Sequence, residues 1–396
     1  MSRFLFVVPP LVGHINPAAG VAAELAARGH ESAWACADPT LVRRLAGSAA
    51  VVFPCAGPVP RDGVRPPDLR GPEAMKFLWQ HFLVPLAEDM ALGVRDAVEE
   101  FGPDAVVADQ QALAGGLVAE RLGVPWATSA TTSAEFTDVL ARMPKIAVWL
   151  DDQLHGLRAR IGDPAGTADP RFSPHLVLVF TTPEFVGPDA RQEPRIRYVG
   201  PSITERPGGS DFPWDWLDTS RSTVLVTLGT ANTDIGARFL SECLAAVRER
   251  TDRLQAVITD PGCVLGPPLQ DKSVLVLPSV PQLQLLERAD AVVCHAGHNT
   301  VCESLWHGVP LVVAPIRDDQ PVVAGQVTDA GAGVRVRFGR VTAGRLGAAL
   351  DAALYEPTHR VAADRIRTAF RAAGGSAAAA THLERLARGA LPPENQ

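Results

Sequence analysis

The 396-residue sequence contains no Cys-x-x-Cys pair, no Asp-x-Asp triplet and no apolar run approaching the length of a membrane span. Without paired thiols, the six cysteines (Cys36, Cys55, Cys243, Cys263, Cys294, Cys302), mostly inside apolar runs, read as buried reduced thiols of a cytoplasmic protein. Without the acidic triplet, nothing suggests a divalent metal. Without a long apolar segment, no membrane span is expected. The opening MSRFLFVVPPLVGH is broken by Pro9 and Pro10 and has no cleavage site of small residues, so no leader is expected either. There is no concentrated basic stretch: Lys and Arg number 37 against 44 Asp and Glu, the formal net charge is −7, and the cations are scattered. Binding to a nucleic-acid backbone needs a dense basic surface, which excludes that partner class. Any phosphate held here is expected on backbone amides and helix ends. No internal repeat is visible.

A composition of 46% hydrophobic and 20% charged residues is that of a packed globular protein. The length favours two domains of about 200 residues each. RFLFVV (3–8) reads as a buried strand and NPAAGVAAELAARG (16–29) as a helix, with Asn16 at the N-cap, Pro17 at its first position and Gly29 just past its end. Strands at 31–37, 104–109 and 123–129 and a helix at 112–122 continue the pattern. Residues 200–222, rich in Pro, Gly, Ser and Asp, read as a linker with a short Trp-bearing turn. Alternation then restarts: strands at 223–229, 254–259, 274–279, 289–295 and 310–315, helices at 234–249 and 299–307, and a mainly helical remainder. Such alternation implies an α/β protein of two doubly wound parallel sheets, with ligands bound in a cleft between their strand ends.

The densest polar pattern lies in PSVPQLQLLERADAVVCHAGHNTVCESLWHGVPLVVAPIRDDQ (278–320). A strand ends at Cys294-His295, a turn follows at Ala296-Gly297, and a helix begins near Asn299-Thr300. Gly297 lets the backbone approach a ligand, and the first helical amides form an anion site suited to a diphosphate. His295 and the Thr300 hydroxyl add donors, and Glu303 is placed to accept from a ribose diol. Taken alone, the His-Ala-Gly turn is an ordinary strand–turn–helix junction. The whole series, through Pro281-Gln282, His295-Ala296-Gly297, Asn299-Thr300, Glu303, Gly308-Val309-Pro310, Pro315 and Asp319-Gln320, resembles the donor-binding signature of the family 1 glycosyltransferases, two-Rossmann enzymes of the GT-B fold. That resemblance implies that His295, Gly297, Asn299 and Thr300 hold a diphosphate and that Glu303 binds ribose. It also implies that Val280 and Gln282 flank the base and ribose, that Asp319 and Gln320 read sugar hydroxyls, and that Gly229 and Thr230 lie near the phosphates. The sequence departs from the family in having Ser279 where many members stack an aromatic on the base, and His298 where Trp, Met or Leu is common.

In the first half, GHINP (13–17) lies between the first strand and helix, on the rim of the expected cleft. An alcohol attacking an anomeric carbon must lose a proton, and imidazole titrates nearest neutral pH. Asp109, ending a parallel strand on the same side, is the partner that would fix the tautomer of His14. Singly, His14 is a turn histidine and Asp109 a helix cap. Together they match the family's catalytic dyad. GGSAAAATHLERL (374–386) resembles the family's closing helix, which crosses back to the first domain.

The implied organisation is an acceptor domain (1–200), linker (201–218), donor domain (219–374) and returning helix (375–396). Segments 55–90 and 130–175, with Phe77, Trp79, Phe82, Phe136, Met143 and Trp149, are either an apolar acceptor pocket or loops packed on the core. The expectation is a metal-independent, inverting hexosyltransferase, without cofactor and monomeric or homodimeric, that moves sugar from a UDP-glucose-like donor to a hydroxyl of a small lipophilic natural product. A nucleotide-sugar epimerase and a non-catalytic nucleotide-sugar-binding protein are the alternatives.

Overall fold

The computed structural model describes residues 1–59, 66, 69, 71–137, 140–206, 211–230 and 235–389. Parts of the expected acceptor segments (60–65, 67–68, 70 and 138–139) and of the linker (207–210) lie outside the described residues, as do the start of the helix expected from 234 and the tail from 390.

The first sheet contains β1 (Arg3–Val7), β2 (Glu31–Cys36), β3 (Val51–Pro54), β4 (Ala105–Asp109), β5 (Trp126–Ala130), β6 (Leu176–Val179) and β7 (Ile196–Tyr198), in the order β3-β2-β1-β4-β5-β6-β7, all parallel. The second contains β8 (Ser222–Thr227), β9 (Leu254–Thr259), β10 (Leu269–Gln270), β11 (Val274–Leu277), β12 (Ala291–Cys294), β13 (Leu311–Val313) and β14 (Gly333–Arg335). Its order is β10-β11-β9-β8-β12-β13-β14, parallel except for β10 against β11.

Both sheets are doubly wound, as the alternation implies. In β1, Phe4 and Phe6 pack into one face's core and Leu5 and Val7 into the other's, because helices cover both sides of the sheet. Each such side chain contributes about 1.5–3 kcal/mol of burial. Strand order reverses between β1 and β4 in one sheet and between β8 and β12 in the other. These are the crevices where ligands of such sheets bind.

The first helix corrects the expected boundary. It runs Val12–Ala27 from an extended Leu11, with Pro17 inside it, so Asn16 is not its cap. The amides of His14 and Ile15 already donate to the Leu11 carbonyl at 3.0 Å, closing the turn before Asn16 is reached. Gly29 takes a left-handed φ of 81° just beyond the helix, as expected.

Segment 71–101 is helical, not a loop, and contains a π turn at Trp79–Leu83 where Pro85 has no N–H to give His81. Residues Pro144–Ile161 are a helix as well. Trp79 and Phe136 are core side chains, at 4% and 1% exposure.

The final helix, Gly375–Ala387, inserts Ala379, Ala380, Leu383 and Leu386 into the first lobe's core. Arg28 clamps it by donating to Thr381 Oγ1 (3.0 Å) and the Ala377 carbonyl (2.9 Å). Phe185, on the first-domain side of the expected boundary, is buried in the second lobe's core against Phe370, with ring centroids 6.0 Å apart. Among the described residues no helix is long and apolar enough to cross a membrane. Five of the six cysteines are buried free thiols, whereas Cys263 is exposed.

Candidate active site

His14 follows β1 and Asp109 ends β4, so the two flank the first sheet's crevice. His14 Nδ1 lies 2.9 and 3.0 Å from the two Asp109 carboxylate oxygens. Asp109 is fully buried at its side chain and also accepts the Gln111 amide at 2.8 Å, while His14 keeps 15% exposure. Thr131, just past β5, sits 2.8 Å from His14 Nδ1 and donates to Asp109 Oδ2 at 3.2 Å. With its Nδ1 proton directed at the carboxylate, the neutral ring presents Nε2 as its acceptor. Burial opposes protonation of His14, but the charge and hydrogen bond of Asp109, helped by Asp319 and Glu135, outweigh it, and the pKa stands above the ordinary 6.5.

Gly229 follows β8 and His295 follows β12, flanking the second sheet's crevice in the same way. The His295 ring is wedged between two glycines: a Cβ on Gly229 would lie 2.8 Å from its Cε1, and one on Gly297 only 2.4 Å from its Nε2. Burial, followed by the nearby Arg317 charge, drives His295 down to about 4 against a bond to the Thr227 backbone, so the ring is neutral. Its buried Nδ1 has no partner among the described residues. The residue in left-handed conformation at this turn is Ala296 (φ 64°), not Gly297. The latter is needed for the close approach of the ring.

The next helix, His298–Trp306, starts one turn-residue earlier than expected, with Gly297 as N-cap. Its first internal bond runs from the Val301 amide to the Gly297 carbonyl at 3.0 Å, which leaves the amides of His298, Asn299 and Thr300 at the positive helix end. Thr300 is buried. The Asn299 side chain crosses to the first lobe and donates to the Gly13 carbonyl at 2.6 Å. Glu303, 4% exposed, accepts from Gln282 Nε2 at 2.6 Å and from the linker residue Arg206. Val280 packs on the core beside Gln282, Ser279 is exposed, and Thr230 is exposed at the end of its described segment.

Asp319 Oδ2 accepts from Thr132 Oγ1 across the lobes at 2.6 Å, and burial holds its carboxyl above the usual range. Gln320 turns its side-chain oxygen to the amides of Ile316 (2.9 Å) and Arg317 (3.1 Å), bracing the loop that carries Asp319. His298 is buried and neutral, lowered to about 4 by burial, beside Ser133 Oγ (3.3 Å) and the Phe180 carbonyl (3.4 Å) of the first lobe.

The structure thus unites His14 with Asp109, Gly229 with His295 and Gly297, and Gln282 with Glu303, and sets the two crevices against each other through Asn299 and Asp319. Sequence reasoning missed Thr131, Thr132, Ser133 and Arg206. The first three follow a parallel strand at its carboxyl end, the rule that selected Asp109, and could have been found by it. Arg206 sits in patternless linker and gave no signal.

Two facing Rossmann-like lobes with a polar crevice in each are the architecture of the GT-B fold. Residues 271–386 match the family described as Erythromycin biosynthesis protein CIII-like, C-terminal domain. The chain is similar to 4'-demethylrebeccamycin synthase of Lentzea aerocolonigenes, at 30% identity over 94% of this chain and 96% of that one. It is likewise similar to demethyllactenocin mycarosyltransferase of Streptomyces fradiae, at 30% identity over 98% of this chain and 87% of that one. Among solved structures, the kitacinnamycin glycosyltransferase superposes with a TM-score of 0.81, 27% identity and 99% of both chains covered. The chain belongs to the family 1 glycosyltransferases of bacterial natural-product biosynthesis.

Proposed function

We propose that this glycosyltransferase is a cytoplasmic enzyme that works with inversion and without a metal, moving a hexose from a nucleotide diphosphate donor to a hydroxyl of a small lipophilic acceptor. His14 Nε2 takes the acceptor's proton while the acceptor oxygen bonds to the anomeric carbon. The carbon–oxygen bond to the diphosphate breaks on the opposite face. The leaving diphosphate keeps the electron pair, and its charge is met by the amides of His298, Asn299 and Thr300 and by neutral His295. Gly229 and Thr230 border the phosphates, Val280 and Gln282 the base and ribose, and Glu303 the ribose diol, which favours a UDP donor. Asp319 and the Gln320 amide read the sugar.

The observation that carries this reading is the bond from His14 Nδ1 to buried Asp109 (2.9 Å), in the crevice facing the helix that starts at His298. That pairing favours catalysis over mere nucleotide-sugar binding, which needs no base. The names of the relatives, a demethylrebeccamycin synthase and a mycarosyltransferase, support a natural-product acceptor.

The test is transfer from UDP-glucose and dTDP-glucose, both α-linked, to a panel of lipophilic hydroxylated natural products, with the product anomer read by proton coupling. A β-glucoside is expected. An α-product rejects inversion, and epimerised donor formed without any acceptor rejects the transferase reading.

A further inference from the structure

In an α-helix the carbonyl of residue i accepts the N–H of residue i+4. For Gly13 that partner is Pro17, which has no N–H and whose ring crowds the same carbonyl. A proline this far into a helix is a costly placement. Here the carbonyl it leaves without a helical donor is taken across the lobe boundary by Asn299 Nδ2 at 2.6 Å. Asn16, Pro17, Asn299, Arg206 and Glu303 line one small recess between the lobes. Gly13 is bonded in sequence to His14, and Asn299 is the second residue of the helix whose amides face the crevice. A side-chain amide carries two N–H groups, so the bond to Gly13 leaves one for an anion.

We infer that Pro17 is a positioning residue: by denying Gly13 a helical donor it reserves that carbonyl for Asn299, and so fixes the base-bearing turn against the donor helix. The kinetic consequence rests on the transferase reading above. The structural consequence does not.

The probe is Pro17→Ala, which returns the missing N–H. The helix gains a bond, so the thermal midpoint is expected to rise by about 5 °C. Asn299 loses its acceptor to competition, so kcat is expected to fall roughly tenfold. Asn299→Ala, damaging alone, is expected to add little in the Pro17→Ala background. Hydrogen exchange provides the arm that needs no turnover: amides 12–16 slow while amides 298–303 speed up. Stability and activity falling together would mean that Pro17 is only packing, and wild-type transfer with unchanged exchange at 298–303 would equally overturn the inference. Asn299→Asp, similar in size but unable to donate, is the second probe. Faster exchange at 12–16 is expected, and wild-type exchange there also overturns it. If the wild-type protein transfers no sugar, the proposed function fails, while the exchange measurements still decide this inference.

Discussion

A histidine accepts a proton only while its ring is neutral, and the pKa of His14 is raised above 6.5, chiefly because the charge and hydrogen bond of Asp109 prevail over burial. The acid limb of the transfer rate is therefore expected above pH 6.5. Asp109→Asn removes the raising charge, so it should shift that limb to lower pH while cutting the plateau by about 10²–10⁴-fold. The sign for stability is opposite. A raised folded-state pKa contributes stability that is complete below the unfolded value and is lost as pH rises through the folded one. The denaturation midpoint should accordingly fall across the window in which the rate climbs. Thr131→Val takes a hydroxyl from Asp109 and should cost roughly tenfold in kcat, about 1.4 kcal/mol, with Thr131→Ser restoring most of it. The pairing of His14 with Asp109 was legible only through the family resemblance, because singly each reads as a turn histidine or a helix cap. Thr131 was not, because a hydroxyl after a strand is commonplace until its partners are placed.

The turn between β12 and its helix shows what a pattern of glycines does and does not say. Sequence reasoning assigned Gly297 its freedom for approach to a ligand, but the pressing neighbour is the His295 ring, 2.4 Å from any Cβ at that position. Gly297→Ala must displace either ring or helix, at a cost of about 1–3 kcal/mol in urea unfolding and with weaker nucleotide binding by calorimetry. Ala296 already bears left-handed strain at φ 64°, so Ala296→Gly should change stability by less than about 1 kcal/mol and leave binding intact. Boundaries failed for similar reasons. Asn16-Pro17 has the composition of a helix start, yet the chain turns helical at Val12, where the amides of His14 and Ile15 close the first turn on the Leu11 carbonyl. Of the strands, buried runs such as β1, β9 and β12 were read correctly. Those not read were β3, at the sheet edge with no buried residue, the two- and three-residue β7, β10 and β14, and β6, a fully buried run no shorter than β12.

Across the whole molecule, two crevices 180 or more residues apart in sequence are tied by Asn299 to Gly13, Thr132 to Asp319 and Ser133 to Gln326, each bond 2.6 Å long. The architecture was legible from alternation alone, because both sheets are built from apolar runs. The ties were not, because no local pattern reports a partner that distant. If helix amides and the neutral His295 ring hold the pyrophosphate as proposed, no cation is needed, so EDTA should leave the transfer rate unchanged. Nucleotide diphosphate at a hundred times its Kd should stabilise the fold by about 2.7 kcal/mol. The central claim is that one lobe supplies the base and the other holds the leaving group, and it separates most cleanly in His14→Ala. Calorimetric Kd for the nucleotide diphosphate is expected to stay within about twofold of wild type, because His14 lies on the opposite lobe, while kcat falls by at least about 10²-fold. A variant that binds the nucleotide normally and still transfers sugar at the wild-type rate would contradict the account.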